Sequence, residues 1–217
     1  IQLDTFGQAT FNSSLLPDGA YFTIGDAVKG PGCVNLGSVL WLKADYGLTT
    51  GALWEDYSGS ENDFTQTVAG EQPTVIAGDV STNFNPGLLF ANTKNLERAN
   101  GLLTTGGGTV VAAVKHNNLA ATWGDIYNQA TDNPTFGKWT GVGNMKVYDA
   151  GVHVVNDVPL SFIQSQNHIA GYDYGTTANS YTAYMDGKGF NVTSPAPSIV
   201  AGTAYIGGEN TLENWVG

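Results

Sequence analysis

Two short strings carry most of the side chains able to do chemistry. The first is Glu61-Asn62-Asp63-Phe64-Thr65-Gln66. On an extended chain alternate side chains share a face, so Glu61 and Asp63 would point to one cleft. Retaining cleavage of a glycosidic bond needs two carboxyl groups about 5–5.5 Å apart, one as nucleophile and one as acid/base. Gln66 closes the string with an amide, which cannot cycle a proton at neutral pH, so the string reads as a solvated turn. The second string is Asp56-x-Ser58-x-Ser60-x-Asn62, with oxygen-bearing side chains at alternate positions. Calcium takes roughly six to eight oxygens in flexible geometry, which makes Asp56, Ser58, Ser60 and Asn62 the candidate calcium ligands. The EF-hand spacing is not met, and Asp or Asn in such a string also bonds local backbone to build its own turn.

Aromatic residues offer a third kind of chemistry. Saccharide rings stack on exposed Trp and Tyr, whose rigid rings present apolar faces. Trp123, Trp139, Tyr172 and Tyr174 lie in polar, turn-rich stretches, and Gly171-Tyr172-Asp173-Tyr174-Gly175 would set two rings on one side with a carboxylate between them. Trp123, Trp139, Tyr172, Asp173 and Tyr174 are therefore the candidate ligand contacts. The same rings could instead fill a core, where Trp41 and Trp54 are expected. His116, His153 and His168 show no HxxxH or HExxH spacing, which argues against zinc. No G-x-S-x-G, P-loop or dinucleotide fingerprint occurs, and Gly106-Gly107-Gly108 reads as a loop. Cys33 is the only cysteine, so it has no disulfide partner within the sequence and belongs to no CxxC pair.

Composition narrows the partners. The 217 residues carry a net charge of −11 with one arginine, Arg98, and seven lysines. Eight cations spread along the chain do not make the basic face that displaces phosphate counterions, so nucleic acid is not an expected partner. An anionic membrane surface is disfavoured on the same ground, and no apolar run approaches the roughly 18 residues that span a bilayer. Charged residues are 12% of the chain, about half the usual share, and 23 Thr with 19 Asn take their place. With 41% hydrophobic residues the chain has apolar surface enough to offset the entropy of ordering.

The elements that must position these groups read as strands. Runs rich in Val, Ile, Thr and Tyr recur between Gly, Asn, Asp or Pro, at Val39–Lys43, Pro73–Ile76, Leu88–Ala91, Thr109–Lys115, Met145–Tyr148, Val152–Val155, Tyr181–Met185 and Thr203–Ile206. Weaker runs are Ala20–Ile24, Phe64–Val68, Leu160–Gln164 and Phe190–Thr193. The best helical stretch, Thr93–Asn100, is too short and polar to be important. A dozen short strands without intervening helices predict an all-β sandwich or barrel. Asp186-Gly187 is the strongest hairpin signal, since both turn positions must accept positive φ. Val110-Val111-Ala112-Ala113-Val114 lacks polar alternation and is expected to be buried on both faces. A boundary is expected at Lys29-Gly30-Pro31-Gly32-Cys33, giving the end of a preceding β module plus linker over 1–30 and a main domain over 31–217.

From Leu40 onward the ordered set of motifs resembles a known family. Trp41-Leu42-Lys43-Ala44-Asp45 is followed by Trp54-Glu55-Asp56-Tyr57-Ser58-Gly59-Ser60-Glu61-Asn62-Asp63, then Gln72-Pro73-Thr74 and Asn85-Pro86-Gly87-Leu88-Leu89-Phe90. Later come Tyr184-Met185-Asp186-Gly187-Lys188 and Tyr205-Ile206-Gly207-Gly208. This order is similar to the concanavalin A-like, laminin-G-type jelly-roll domains of large secreted bacterial surface proteins, over about residues 31–217. The family loop has a second Gly where this chain has Glu61. Family domains also continue after the "IGG" strand, so the expectation is a domain truncated before its last strand within a multi-module parent. Jelly-roll glycoside hydrolases carry a related E-x-D-x-x-E strand, whose last carboxylate is Gln66 here. What the resemblance implies is an antiparallel jelly-roll β-sandwich and a non-catalytic extracellular, cell-surface module of an adhesin. It would be cargo of the type IX secretion machinery, beside neighbouring modules of the same chain, with glycans or surface polymers as partners and no membrane insertion. The competing expectations are a polysaccharide hydrolase on the same fold and a purely structural spacer.

Overall fold

A computed structural model describes residues 38–207, apart from 49, 79, 83, 92, 118–123, 131–133, 139–142, 150–151, 156–159 and 192–193. The β segment expected over 1–30, Cys33, Trp123 and Trp139 lie outside the described residues. The strands in chain order are β1 (Leu53–Trp54), β2 (Phe64–Thr65), β3 (Thr74–Ile76), β4 (Gly87–Leu89), β5 (Leu96–Arg98), β6 (Gly108–Lys115) and β7 (Gly124–Gln129). They continue with β8 (Thr135–Lys138), β9 (Met145–Asp149), β10 (Val152–Val155), β11 (Asn167–Tyr174), β12 (Thr182–Met185), β13 (Lys188–Asn191) and β14 (Ala204–Ile206). Helical structure among the described residues is confined to two short 3-10 segments, Ala69–Glu71 and Val80–Thr82. All the strand pairs are antiparallel, so the chain is all-β, as the spacing of its apolar runs predicts.

One sheet has the order β1-β2-β5-β14-β7-β8-β9-β10 and another β13-β12-β11-β6, while β3 pairs with β4 alone. β6 and β11 are in register over eight residues, from Lys115 opposite Asn167 to Gly108 opposite Tyr174. The alternation of side chains then turns His168, Ala170, Tyr172 and Tyr174 inward. Phe136 of β8 meets Tyr172 of β11 at 5.4 Å between ring centroids, which joins the two larger sheets in one core. Tyr172, Tyr174 and Tyr181 form a triangle of rings, with Tyr174 stacked on Tyr172 at 6.0 Å and on Tyr181 at 5.6 Å, and with Tyr172 and Tyr181 6.2 Å apart. Their hydroxyls need partners once buried. Tyr181 donates to Asp149 Oδ2 at 2.6 Å and Tyr174 to the Thr104 carbonyl at 2.8 Å, while the Tyr172 hydroxyl has no partner among the described residues. This layering of two antiparallel sheets on a shared apolar core is sandwich-like.

Several local expectations change. The Val110–Val114 run is not buried on both faces; it alternates, and Val111 is 64% exposed. Within this run the outward positions, Val111 and Ala113, are apolar rather than polar, so the period is invisible in the sequence. Val39–Lys43 forms no strand, and only Leu42 bridges to Asp56. Leu160–Gln164 likewise reduces to a bridge between Ser161 and Asn144. The polar stretch Thr93–Asn100 contains β5, which lies between β2 and β14 because Leu96 is wholly buried. The hairpin signal holds: Asp186 has φ +50° and Gly187 φ +80°, and these two residues join β12 to β13. Glu61 adopts φ +56°, a left-handed conformation at the position where the related pattern has Gly.

Candidate binding face

The outer face of the four-stranded sheet is built by the same alternation that fills the core. Val111, Gly171, Tyr184 and Gly189 form one cross-strand row, and Thr109, Asp173, Thr182 and Asn191 form the next. Tyr184 lies against Gly189, where a Cβ would come within 3.1 Å of the ring. Two glycines flanking one tyrosine leave the ring room to lie over the sheet. The Asp173 carboxylate beside the Tyr184 hydroxyl holds the phenol above its usual range. Val111 and Ile169 stay exposed beside it, and with Thr109, Asp173 and Gly187 they line a shallow trough of about 450 Å³.

The candidate ligand contacts are redistributed by this register. Tyr172 and Tyr174 do share a side, as alternation requires, but that side is the core: they are 0% and 4% exposed. They are unavailable for stacking, and burial raises both phenols. Asp173, between them, faces the trough. Tyr184 was read from the sequence only as part of the hairpin motif. Its signal was available in the alternation of Tyr181, Ala183 and Met185 inward against Thr182 and Tyr184 outward. Trp41 and Trp54, expected in the core, are both half-buried. Trp54 packs against the core and donates Nε1–H to the Lys43 carbonyl at 2.9 Å, while Trp41 stands edge-on to Tyr57 with the Lys43 ammonium over both rings.

The candidate calcium string builds a turn. Asp56 accepts the amides of Trp41 and Ser58 through Oδ1 at 2.8 Å each, and the Ser58 hydroxyl and Asn62 amide through Oδ2 at 2.7 and 3.1 Å. Burial by itself would raise this carboxyl, but the hydrogen bonds from Ser58, Trp41 and Asn62 outweigh it and the pKa falls below its ordinary value. The Asn62 side chain donates Nδ2–H to the Val39 carbonyl and accepts from the Arg98 guanidinium on Oδ1. The oxygens of Asp56 are engaged by N–H and O–H donors, and the Arg98 guanidinium sits at Asn62. Among the described residues no cluster of three or more His, Cys, Asp and Glu is placed to hold a metal. Of the carboxylate string, Glu61 and Asp63 lie on the turn before β2, and Asp63 Oδ1 accepts the Asp56 amide at 2.7 Å. Gln66 is buried and donates to Asn95 Oδ1 at 2.6 Å.

Two further polar groupings escaped the sequence reading because their members are far apart in the chain. His168 accepts the Ile163 amide on Nε2 at 3.0 Å, which fixes its proton on Nδ1, 2.7 Å from Asp186 Oδ2. Lys146 and Asp125 form a buried ion pair at 2.9 Å, with the Asn128 amide 3.4 Å from the other oxygen of Asp125. A scan against protein-family models finds no match to this chain, and a search of curated proteins finds no relative.

Proposed function

We propose that this chain is a non-catalytic extracellular module of a large multi-domain bacterial cell-surface adhesin, built as a laminin-G-like jelly roll, that holds glycans on the outer face of its four-stranded sheet. The observation that carries the reading is Tyr184, which is exposed beside the Asp173 carboxylate and flanked by exposed Val111 and Ile169. An apolar ring face supports the C–H side of a pyranose, while Asp173 and Thr109 accept and donate at its hydroxyl edge. The Asp173 carboxylate and a net charge of −11 repel acidic sugars, which points to neutral glycans.

The test is a panel of neutral and acidic glycans presented to the full chain, scored for binding and for release of soluble sugar. Expected is binding to a neutral glycan that Tyr184→Ala weakens about tenfold, roughly 1.4 kcal/mol. No binding by the native chain, or equal binding by the variant, removes the glycan face. Release of sugar from a polysaccharide overturns the non-catalytic reading in favour of a hydrolase.

A further inference from the structure

The wide sheet carries a second arrangement, on the face turned away from the shared core. Lys146 alternates with the core residues Met145 and Val147, so it points to the other face of β9, and its side chain is nevertheless only 3% exposed. Asp125 of β7 pairs with Gly137 of β8, and Gly137 pairs with Lys146. The lysine therefore reaches across a strand position that has no side chain. It ends 2.9 Å from Asp125 Oδ1. The β7 ladder shifts register between Asp125 and Tyr127, and Asn128 consequently lies close to Asp125, its Nδ2 3.4 Å from Oδ2. Asp125 and Asn128 are both 0% exposed. One buried carboxylate thus touches an amine nucleophile on one oxygen and a carboxamide on the other.

We propose that this triad forms an intramolecular amide between Lys146 and Asn128, closing β9 onto β7 by a covalent bond. Asp125 takes a proton from the Lys146 ammonium through Oδ1, and the freed amine attacks Cγ of Asn128. The Nζ–Cγ bond forms and the Cγ–Nδ2 bond breaks. Asp125 returns the proton to the departing nitrogen, which leaves as ammonia, and the second Nζ proton passes to that ammonia through solvent, so that the products are a neutral secondary amide and ammonium. No oxidant, reductant or co-substrate is needed. The carboxylate acts as proton shuttle, and exclusion of water both strengthens its contacts and prevents hydrolysis of the tetrahedral intermediate. Holding nucleophile and electrophile on two strands that flank β8, on the same face and on the same carboxylate, supplies the proximity that makes such a condensation effectively unimolecular. Reaction also removes the lysine charge, easing the desolvation cost that a buried ion pair carries. The inference stands apart from the glycan reading: it concerns a different sheet and predicts a change in mass, not a ligand.

Intact-mass measurement of the full chain tests it, followed by tryptic mapping. Expected is a mass short of the sequence mass by one ammonia, with a branched peptide in which Lys146, uncleaved, is joined to the segment containing Asn128. Asp125→Ala is expected to retain the full sequence mass while keeping a β-type far-ultraviolet spectrum. The native chain at its full sequence mass overturns the proposal whatever the variant does. A loss of water with Lys146 joined to Asp125 overturns Asn128 as acceptor. A loss of ammonia without a branched peptide overturns it too, since a succinimide at Asn100-Gly101 has that mass.

Discussion

Asp56 is nearly buried, and four donors from Trp41, Ser58 and Asn62 converge on its two oxygens. Those donors lie on both sides of the turn, so the side chain replaces regular pairing where Leu42 and Asp56 make a lone bridge. Hydrogen bonds to a charged acceptor contribute more than neutral ones, and deleting the acceptor strands the backbone N–H groups it served. Asp56→Ala is expected to cost about 2–4 kcal/mol, read from the midpoint of urea unfolding at unchanged slope. The sign with pH follows from the lowered carboxyl. Its contribution is present above the ordinary carboxylate value of 3.8 and is lost as pH falls through the lower folded value. Asp56→Ala should therefore approach the native chain in stability as the solution is acidified below that value. A variant as stable as the native chain at neutral pH would show that the turn holds without this carboxylate.

At the scale of elements, turns are where this sequence speaks most plainly. Nothing lies within 4 Å of a Cβ added at Gly187, yet its φ is +80°. Gly187→Ala isolates the conformational term and is expected to cost about 1–2 kcal/mol, measured by thermal unfolding, with the β12–β13 pairing retained. Asp186-Gly187 was legible because positive φ admits few residue types. β10 was legible as Val152–Val155, and β9 nearly so, because β-branched and aromatic runs end at Gly or Asp there. β7 and β8 were not. Asp125, Asn128, Thr135 and Lys138 are buried polar residues, and a strand with polar side chains inside breaks the period on which strand reading depends. The same limit applied to sites. Asp173 was found from local spacing, whereas Tyr184 became its partner only through the register of β11 with β12. The two rings nearest in sequence, Tyr172 and Tyr174, took the inward side because alternation fixes which residues share a face but not which face is the core.

At the scale of the molecule, the buried histidine His116 couples the sandwich to pH. It is 1% exposed, packed on Phe162 at 4.5 Å, and Phe162 in turn meets His168 at 5.7 Å. A Cβ at Gly124 would touch the His116 ring and the Lys138 chain together, so β8 brings its buried lysine to the same place. Burial first, and then the charges of Lys138 and His168, push the His116 imidazole down from 6.5 to about 4. The folded chain keeps this ring neutral while the unfolded chain binds a proton, so the unfolded state holds more protons between those two values. Stability should be level above pH 6.5, fall as pH drops from 6.5 to about 4, and lose roughly 3 kcal/mol across that window from this group. Asp186 adds a later loss. The His168 hydrogen bond and the Ile169 amide hold its carboxyl below 3.8, and that contribution disappears only as pH falls through the lower value. Urea unfolding at pH 7.5, 5.5 and 4.5, with a further point below 3.8, separates the two. His116→Phe is expected to flatten the slope between pH 6.5 and 4 even where it lowers stability at neutral pH, because the slope counts protons and not contacts. A slope that survives the substitution would place the titrating group elsewhere.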